Sequence, residues 1–389
     1  MLKARHLRHP VRAARGAEQL LRFHLSALKR ARDGTRIHKD DPRWKLDHVE
    51  EGFRHRIDSQ QCDTELLRRI CKAYEAASRA PVPKAYRATE WWEALRRTSL
   101  QRVIHALEEQ DVDALQSMYA NFFRDRCSDG LVGKTPLLKP SFTLPVTRVH
   151  QAAYLSEALS QIDTWQNITH SKHDLRDLNG PAIGNPFGIV VDGVLIPAGA
   201  VHQHYYAQRI ASILGDGPAV VAEIGGGYGA MAYYLLRDRP QTAYINFDLP
   251  ESLALSAYYL IKGFPEKRFL LYGETSDEDT AIGDFDVVLL PLSHLFAIPA
   301  RYADLIFSSH VMSDLTPEAL TVYLTNVSTV SRKYFLYEGM HQSRSGIQNL
   351  ILTTCPALAL TWEKRFSFSG HNACDPQLEL LYERAHPAD

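Results

Sequence analysis

From His202 onward, short apolar runs alternate with amphipathic stretches, and this alternation constrains the fold more than any other feature of the 389-residue chain. Ala219–Ile224 has the continuous apolar character of a strand buried on both faces. The glycine-rich turn Gly225–Gly229 follows, and then a helical stretch, Ala230–Arg237. Strand Ala243–Phe247 ends at Asp248 ahead of helix Leu253–Lys262. Further strands are predicted at Phe269–Tyr272, Val287–Leu290, Asp304–Ser308 and Tyr334–Tyr337, with helix Pro317–Val330 before the last. Strand alternating with helix predicts an α/β fold: a parallel sheet covered on both faces, with ligands bound at the carboxyl ends of the strands. Ala359–Phe366 and Leu378–Tyr382 read as a closing antiparallel pair, which a purely parallel dinucleotide-binding sheet lacks.

The first 200 residues have a different texture. Apolar residues three and four apart, as in Leu66, Ile70 and Tyr74 or Leu100, Ile104 and Leu107, predict helices from about Trp44 to Ser117. Trp91, Trp92, Tyr119, Phe122 and Phe123 recur at helical spacing and are expected in the core. A linker rich in Gly and Pro, Gly130 to Pro145, precedes a helix near Val149–Gln161. Asp192-Gly193 between Gly188–Val191 and Val194–Pro197 predicts a two-residue hairpin. The expected organisation is therefore an N-terminal extension (1–43), a mainly helical, substrate-side region with the hairpin (44–200), and an α/β cofactor-binding domain (201–389).

Charge is balanced overall, 44 Lys and Arg against 45 Asp and Glu, so no global field marks a nucleic-acid partner. The distribution is uneven. Residues 1–40 hold 11 Lys and Arg against Glu18, Asp33 and Asp40, a surplus of +8, and Leu20, Leu21, Phe23, Leu25 and Leu28 give that segment an apolar face. Three readings of it are open: a peripheral contact with an anionic membrane surface, an organelle transit peptide, or a basic extension with no dedicated partner. Five cysteines, at 62, 71, 127, 355 and 374, form no C-x-x-C pair and suit a reducing cytoplasm. The longest apolar stretch, 285–307, is interrupted by prolines and charges and is no membrane span.

The sharpest local motif is Glu223-Ile224-Gly225-Gly226-Gly227-Tyr228-Gly229. Glycines at a strand-to-helix turn let a ligand approach the backbone, and the helix start offers free N–H groups. Gly225, Gly227 and Ala230 also fit the spacing of a nicotinamide site. Glu223, however, favours a ligand carrying an ammonium and a sulfonium charge and repels a pyrophosphate. Asp248, at the end of the next strand, is placed to accept both ribose hydroxyls. Together these predict a site for S-adenosyl-L-methionine, with Glu223, Gly225, Gly226, Gly227, Tyr228, Gly229, Asp248 and Ser308 around the cofactor. Tyr258 and Lys262 have the Y-x-x-x-K spacing of short-chain dehydrogenases, but on a helix away from the centre of the sheet. An NAD(P)-dependent oxidoreductase and a non-catalytic, membrane-surface scaffold on the same fold are the alternatives.

These residues belong to a longer series of motifs. Asn121-Phe122-Phe123-Arg124 with Gly130-Leu131, then Gly184-Asn185-Pro186-Phe187-Gly188, the glycine motif, Phe247-Asp248-Leu249-Pro250-Glu251, Tyr258-Tyr259-Leu260 and Leu289-Leu290-Pro291 occur in that order. In this order they resemble the sugar O-methyltransferases of bacterial polysaccharide and natural-product clusters. The resemblance implies a class I methyltransferase fold, S-adenosylmethionine as cofactor, and a hydroxyl of a polysaccharide, lipopolysaccharide or glycosylated metabolite as acceptor. After the fourth strand the family shows an Asn, a Ser and a Glu where this chain has Ser308, Val311 and Asp314.

Methyl transfer to an alcohol needs a base as the new bond forms. His310 and Asp314, just past the strand Asp304–Ser308, are expected to form a catalytic pair sharing one helical face. His202, Tyr206, Asn185 and Glu338 are expected to line the acceptor side, with His341 beyond the end of the same strand as Glu338. His202 and His204 form an H-x-H pair that can share a ligand only in extended chain, and no carboxylate cluster marks a metal site.

Overall fold

The computed structural model describes residues 10–57, 62–132, 147–275, 282–340, 344–366 and 377–385. The α/β part is one eight-stranded sheet. Its strands are β3 (Ala219–Ile224), β4 (Thr242–Asp248), β5 (Phe269–Leu271), β6 (Val287–Pro291), β7 (Ala303–Ser309), β8 (Ser331–Met340), β9 (Leu358–Phe366) and β10 (Gln377–Arg384). They lie in the order β5-β6-β4-β3-β7-β8-β10-β9. From β5 to β8 every pairing is parallel, whereas β10 runs antiparallel between β8 and β9. The insertion of one reversed strand next to the last edge strand is the class I methyltransferase arrangement that the motif series implies. The short edge strand β5 is an addition to it.

Strand alternation divides the core. Val221 and Tyr244 point to one face of the sheet, while Ala222, Ile224, Ile245 and Phe247 point to the other. The second face is covered by α11 (Pro317–Val330) and α12 (Arg344–Thr354), which contribute Leu320, Leu324, Val327, Ile347 and Ile351. On the first face lie α8 (Ala200–Leu214), α9 (Ala230–Asp238) and α10 (Pro250–Gly263), whose Tyr206, Leu235 and Leu260 share a core with Val221.

The N-terminal helices complete that first core. They are α1 (Pro10–Ile37), α2 (Asp47–Arg54), α3 (Thr64–Arg79), α4 (Glu90–Arg96), α5 (Gln101–Glu108), α6 (Val112–Tyr119) and α7 (Arg148–Ile168). Asp63, Thr89, Asp111 and Thr147 each cap the helix that follows by accepting a backbone N–H, so local sequence sets where four of these helices begin. Helix α3 packs on α10, and Leu66, Ile70 and Tyr119 join Leu253 and Tyr258 in one buried cluster. Trp92 Nε1 and Arg96 Nε donate to the buried Glu251 carboxylate at 2.5 and 2.7 Å, latching α4 to the start of α10. The hairpin β1 (Gly188–Val191) and β2 (Val194–Pro197) forms as its sequence predicts, with Asp192 and Gly193 both at positive φ.

Most elements fall within a few residues of their expected positions. Helix α8 begins at Ala200 rather than Tyr205, and this brings His202 and His204 onto a helix. Helix α12 lies in a segment where the sequence pattern had predicted no element. Cys374 and His341 are outside the described residues, as is most of the Gly130–Pro145 linker. No helix among the described residues is long and apolar enough to cross a membrane.

Candidate active site at the carboxyl edge of the sheet

The glycine turn sits where β3 ends. Gly225, Gly227 and Gly229 have φ of 80°, 58° and 87°, a region that residues with a Cβ avoid. A Cβ on Gly225 would collide with the Val311 side chain, and one on Gly226 would lie 2.6 Å from Asn246 Oδ1. The turn is fastened to β4 by its own amides. Gly226 N donates to Asn246 Oδ1 at 3.1 Å, and Gly227 N donates to Asp248 Oδ2 at 2.7 Å. Leu249 N donates to the other Asp248 oxygen at 2.7 Å.

Above this turn is a cavity of about 340 Å³ lined by Glu223, the three consecutive glycines, Tyr228 and Asp248, with Trp91, Leu131, Gln203, Ser309 and His310 on its other walls. Burial pushes the Glu223 carboxyl up to about 7, although the Tyr244 hydroxyl donates to it at 2.5 Å. Burial likewise pushes Asp248 up to about 7 against the two amides that favour its ionised form. Two enclosed carboxylates beside an open glycine cradle fit a ligand that brings positive charge and hydroxyl donors, since both restore the ionised state. They fit S-adenosylmethionine on those grounds. A second, larger cavity of about 990 Å³ adjoins at Asp248 and Leu249 and is lined by Arg87, Arg96, Arg97, Arg102 and His105.

Behind His310, which lines the cavity, three groups converge. Glu338, on β8, is fully buried. His310 Nε2 lies 3.2 Å from its Oε1, and His202 Nε2, from the first turn of α8, lies 3.6 Å from its Oε2. The Ser309 hydroxyl donates to Oε2 at 2.5 Å, and His310 N donates to the Glu338 carbonyl at 2.9 Å. Burial alone would raise the Glu338 carboxyl, but the two histidines reverse this and hold it well below the usual carboxylate range. The imidazoles stack nearly parallel, 6.1 Å apart, and His202 also meets the edge of Tyr206 at 5.0 Å.

Several expected site residues take other roles. His310 does not share a helix with Asp314. It sits at φ 62° as the cap of a single 3-10 turn, Val311–Asp314, and its ring is directed to Glu338. The Asp314 side chain is outside the described atoms. Ser308 is buried and donates to the Ile224 carbonyl at 3.3 Å, because successive residues of β7 face opposite sides; Ser309 lines the cavity instead. Asn185 is not in the cavity at all. Its side chain accepts from Ile57 N and donates to Asn121 Oδ1, both at 2.7 Å, and so fastens loops together. Tyr206 is fully buried behind His202. His204 points away from His202, into Trp165 and Tyr234, and burial lowers it to about 3. Tyr258 is buried against Tyr119, with Lys262 over its ring at 5.2 Å, so the Y-x-x-x-K pair is a packing contact.

Sequence reasoning missed Trp91, Gln203, Ser309 and Leu131 as lining residues. Trp91 was expected in the core but is 55% exposed.

No family model matches the chain, and no curated protein matches it at a significant level. Among solved structures, similar chains include magnesium protoporphyrin IX methyltransferase from Synechocystis with S-adenosylmethionine bound, 10% identical, covering 48% of this chain and 81% of that one at a TM-score of 0.34. The N-methyltransferase NodS from Bradyrhizobium japonicum, bound to S-adenosylhomocysteine, is 12% identical and covers 48% of this chain and 87% of its own at 0.34. The [4+2]-cyclase SpnF is 8% identical, covering 49% and 84% at 0.36. At these scores the fold assignment rests on this chain's own strand order.

Proposed function

We propose that the protein is an S-adenosylmethionine-dependent methyltransferase acting on a hydroxyl of a saccharide or glycosylated metabolite. The observation that carries the cofactor half is the pair of enclosed carboxylates, Glu223 and Asp248, lining one cavity with the Gly225–Gly227 cradle. When bound there, the cofactor supplies a methyl group already activated by its sulfonium centre. Asp248 would hold the ribose hydroxyls, Glu223 the cationic end, and Tyr228 the wall of the cavity.

The acceptor half is supported by what faces the rest of the cavity. An indole left 55% exposed at Trp91 offers a flat surface for the C–H face of a sugar ring, and Gln203, Ser309 and His310 offer polar atoms beside it. The His202–His310–Glu338 cluster is the place where the acceptor oxygen is activated, with Glu338 as a partner of His310. The chain's other task is alignment of acceptor oxygen, methyl carbon and sulfur, which a rigid glycine turn and a cavity walled by α4 and α8 favour.

Transfer of label from methyl-labelled cofactor to members of a glycan panel, read by mass, tests this reading. Methylation of a saccharide hydroxyl is expected. Calorimetry showing no binding of S-adenosylmethionine would end the reading at its cofactor half, whereas binding without any saccharide product would end only the acceptor half.

A further inference from the structure

The chemistry of Glu338 is unusual for a buried strand residue. It pairs directly with Glu379 across the antiparallel β8–β10 ladder, and both glutamates are fully buried. Two carboxylates at one register position on one face repel each other in a poorly screened interior. Glu379 has its own counter-charges: Arg209 Nε donates to it at 2.8 Å, the Tyr205 hydroxyl donates at 2.8 Å, and Lys364 faces it on β9. No arginine or lysine among the described residues forms an ion pair with Glu338; the groups turned toward it are His202 and His310.

The donor atoms of His202, His310 and Glu338 all lie within 4.8 Å of one another. Donors held at about 2.0–2.2 Å from a common ion stand a little over 3 Å apart, and the 3.2 Å from His310 to one carboxylate oxygen and 3.6 Å from His202 to the other lie close enough to that spacing for one cation to be shared. The carboxylate and the two histidines are held in place by their neighbours. Ser309 donates to the carboxylate, the His310 amide is bonded to the Glu338 carbonyl, and His202 is held against Tyr206. The Tyr206 hydroxyl is itself buried and without a hydrogen-bond partner among the described residues. Two imidazoles and one carboxylate leave coordination positions open, as catalytic rather than structural sites do.

We propose that His202 Nε2, His310 Nε2 and the Glu338 carboxylate bind one divalent first-row transition-metal ion. Two nitrogen ligands select this class over Mg²⁺ and Ca²⁺, which take oxygen donors. The cation takes over, with both imidazoles neutral, the charge balance that His202 and His310 otherwise provide to Glu338. His310 borders the cavity, so an oxygen of the acceptor would approach a bound ion from that side; that consequence rests on the methyl-transfer reading, whereas the metal site does not.

The full chain, stripped with a chelator, is titrated with Co²⁺ by calorimetry and followed by visible absorption. The expected result is one equivalent bound with the d–d bands of a nitrogen–oxygen site, and at least tenfold weaker binding in Glu338→Gln and in His310→Ala. The His310 side chain is half exposed, so its replacement leaves the core intact even if Glu338→Gln unfolds. Absence of a saturable single equivalent, Co²⁺ binding unchanged in His310→Ala, or Mg²⁺ bound in preference to Co²⁺ would each overturn the proposal. S-adenosylmethionine is titrated separately into the metal-free chain, so that loss of the metal site and loss of the cofactor reading give different results.

Discussion

Asp248 and Glu223 are carboxylates that titrate near neutrality because they are buried before a ligand arrives. Between the ordinary carboxylate range and about 7, the folded chain holds protons that the unfolded chain has released. Stability of the ligand-free protein therefore falls as pH rises through that window. A ligand that stabilises the ionised pair reverses the sign for binding: S-adenosylmethionine affinity is expected to rise from pH 6 to 8, with proton release seen as a buffer-dependent enthalpy. Equal affinity at both pH values would break that linkage. Asp248→Ala is expected to weaken binding by about 1–3 kcal/mol, the worth of hydrogen bonds to a charged acceptor. Unchanged affinity in a titration would remove Asp248 from the ribose. On the other side of the cavity, His310→Ala and Glu338→Gln are each expected to lower turnover by about 10²–10⁴-fold with cofactor affinity near wild type. Near-normal turnover in His310→Ala would place activation of the acceptor elsewhere.

Helix α1 shows how an element can be legible while its contacts are not. Its amphipathic, basic pattern reads directly from the sequence, and the structure makes it a helix of 28 residues lying along α7. Gly34 is needed there, since a Cβ would come within 2.5 Å of Ser156. Arg30 reaches Glu157 at 2.7 Å. Leu21, Leu25 and Leu28, spaced along one side, remain 59%, 56% and 51% exposed. An apolar stripe among Arg22, Lys29 and Arg32 is the surface that a membrane bearing anionic lipid would bury. The triple variant Leu21→Glu, Leu25→Glu and Leu28→Glu is expected to keep its fold and cofactor binding but to lose most co-sedimentation with phosphatidylserine vesicles. Equal sedimentation of variant and wild type would leave the stripe without a membrane role. Deleting residues 1–40, by contrast, strips α7 of a packed neighbour and tests two things at once.

Across the whole molecule, the motifs that looked like a signature are mostly joints. Arg124 donates to the carbonyls of Phe53, His55, Asn185 and Pro186, tying the end of α2 to the loop before the hairpin. Beside it, Phe122 packs edge-on to Tyr259 and 5.3 Å from Tyr228, so the same joint presses on the glycine turn. Arg124→Ala is expected to destabilise the chain by about 2–3 kcal/mol, because the carbonyls of the buried Asn185 and Pro186 lose a charged donor. A urea midpoint equal to wild type would show that these bonds contribute nothing. The sequence by itself determined the period of most elements, though not of α12, and with it the hairpin turn, the glycine cradle and the acidic strand end, because each depends on residues a few positions apart. The tertiary structure alone decided that β6 rather than β5 lies beside β4, that Asn185 is a clamp, and that His202, His310 and Glu338 meet. Those outcomes depend on how distant elements pack, and a side chain's partner across such a gap leaves no mark on the spacing of its neighbours.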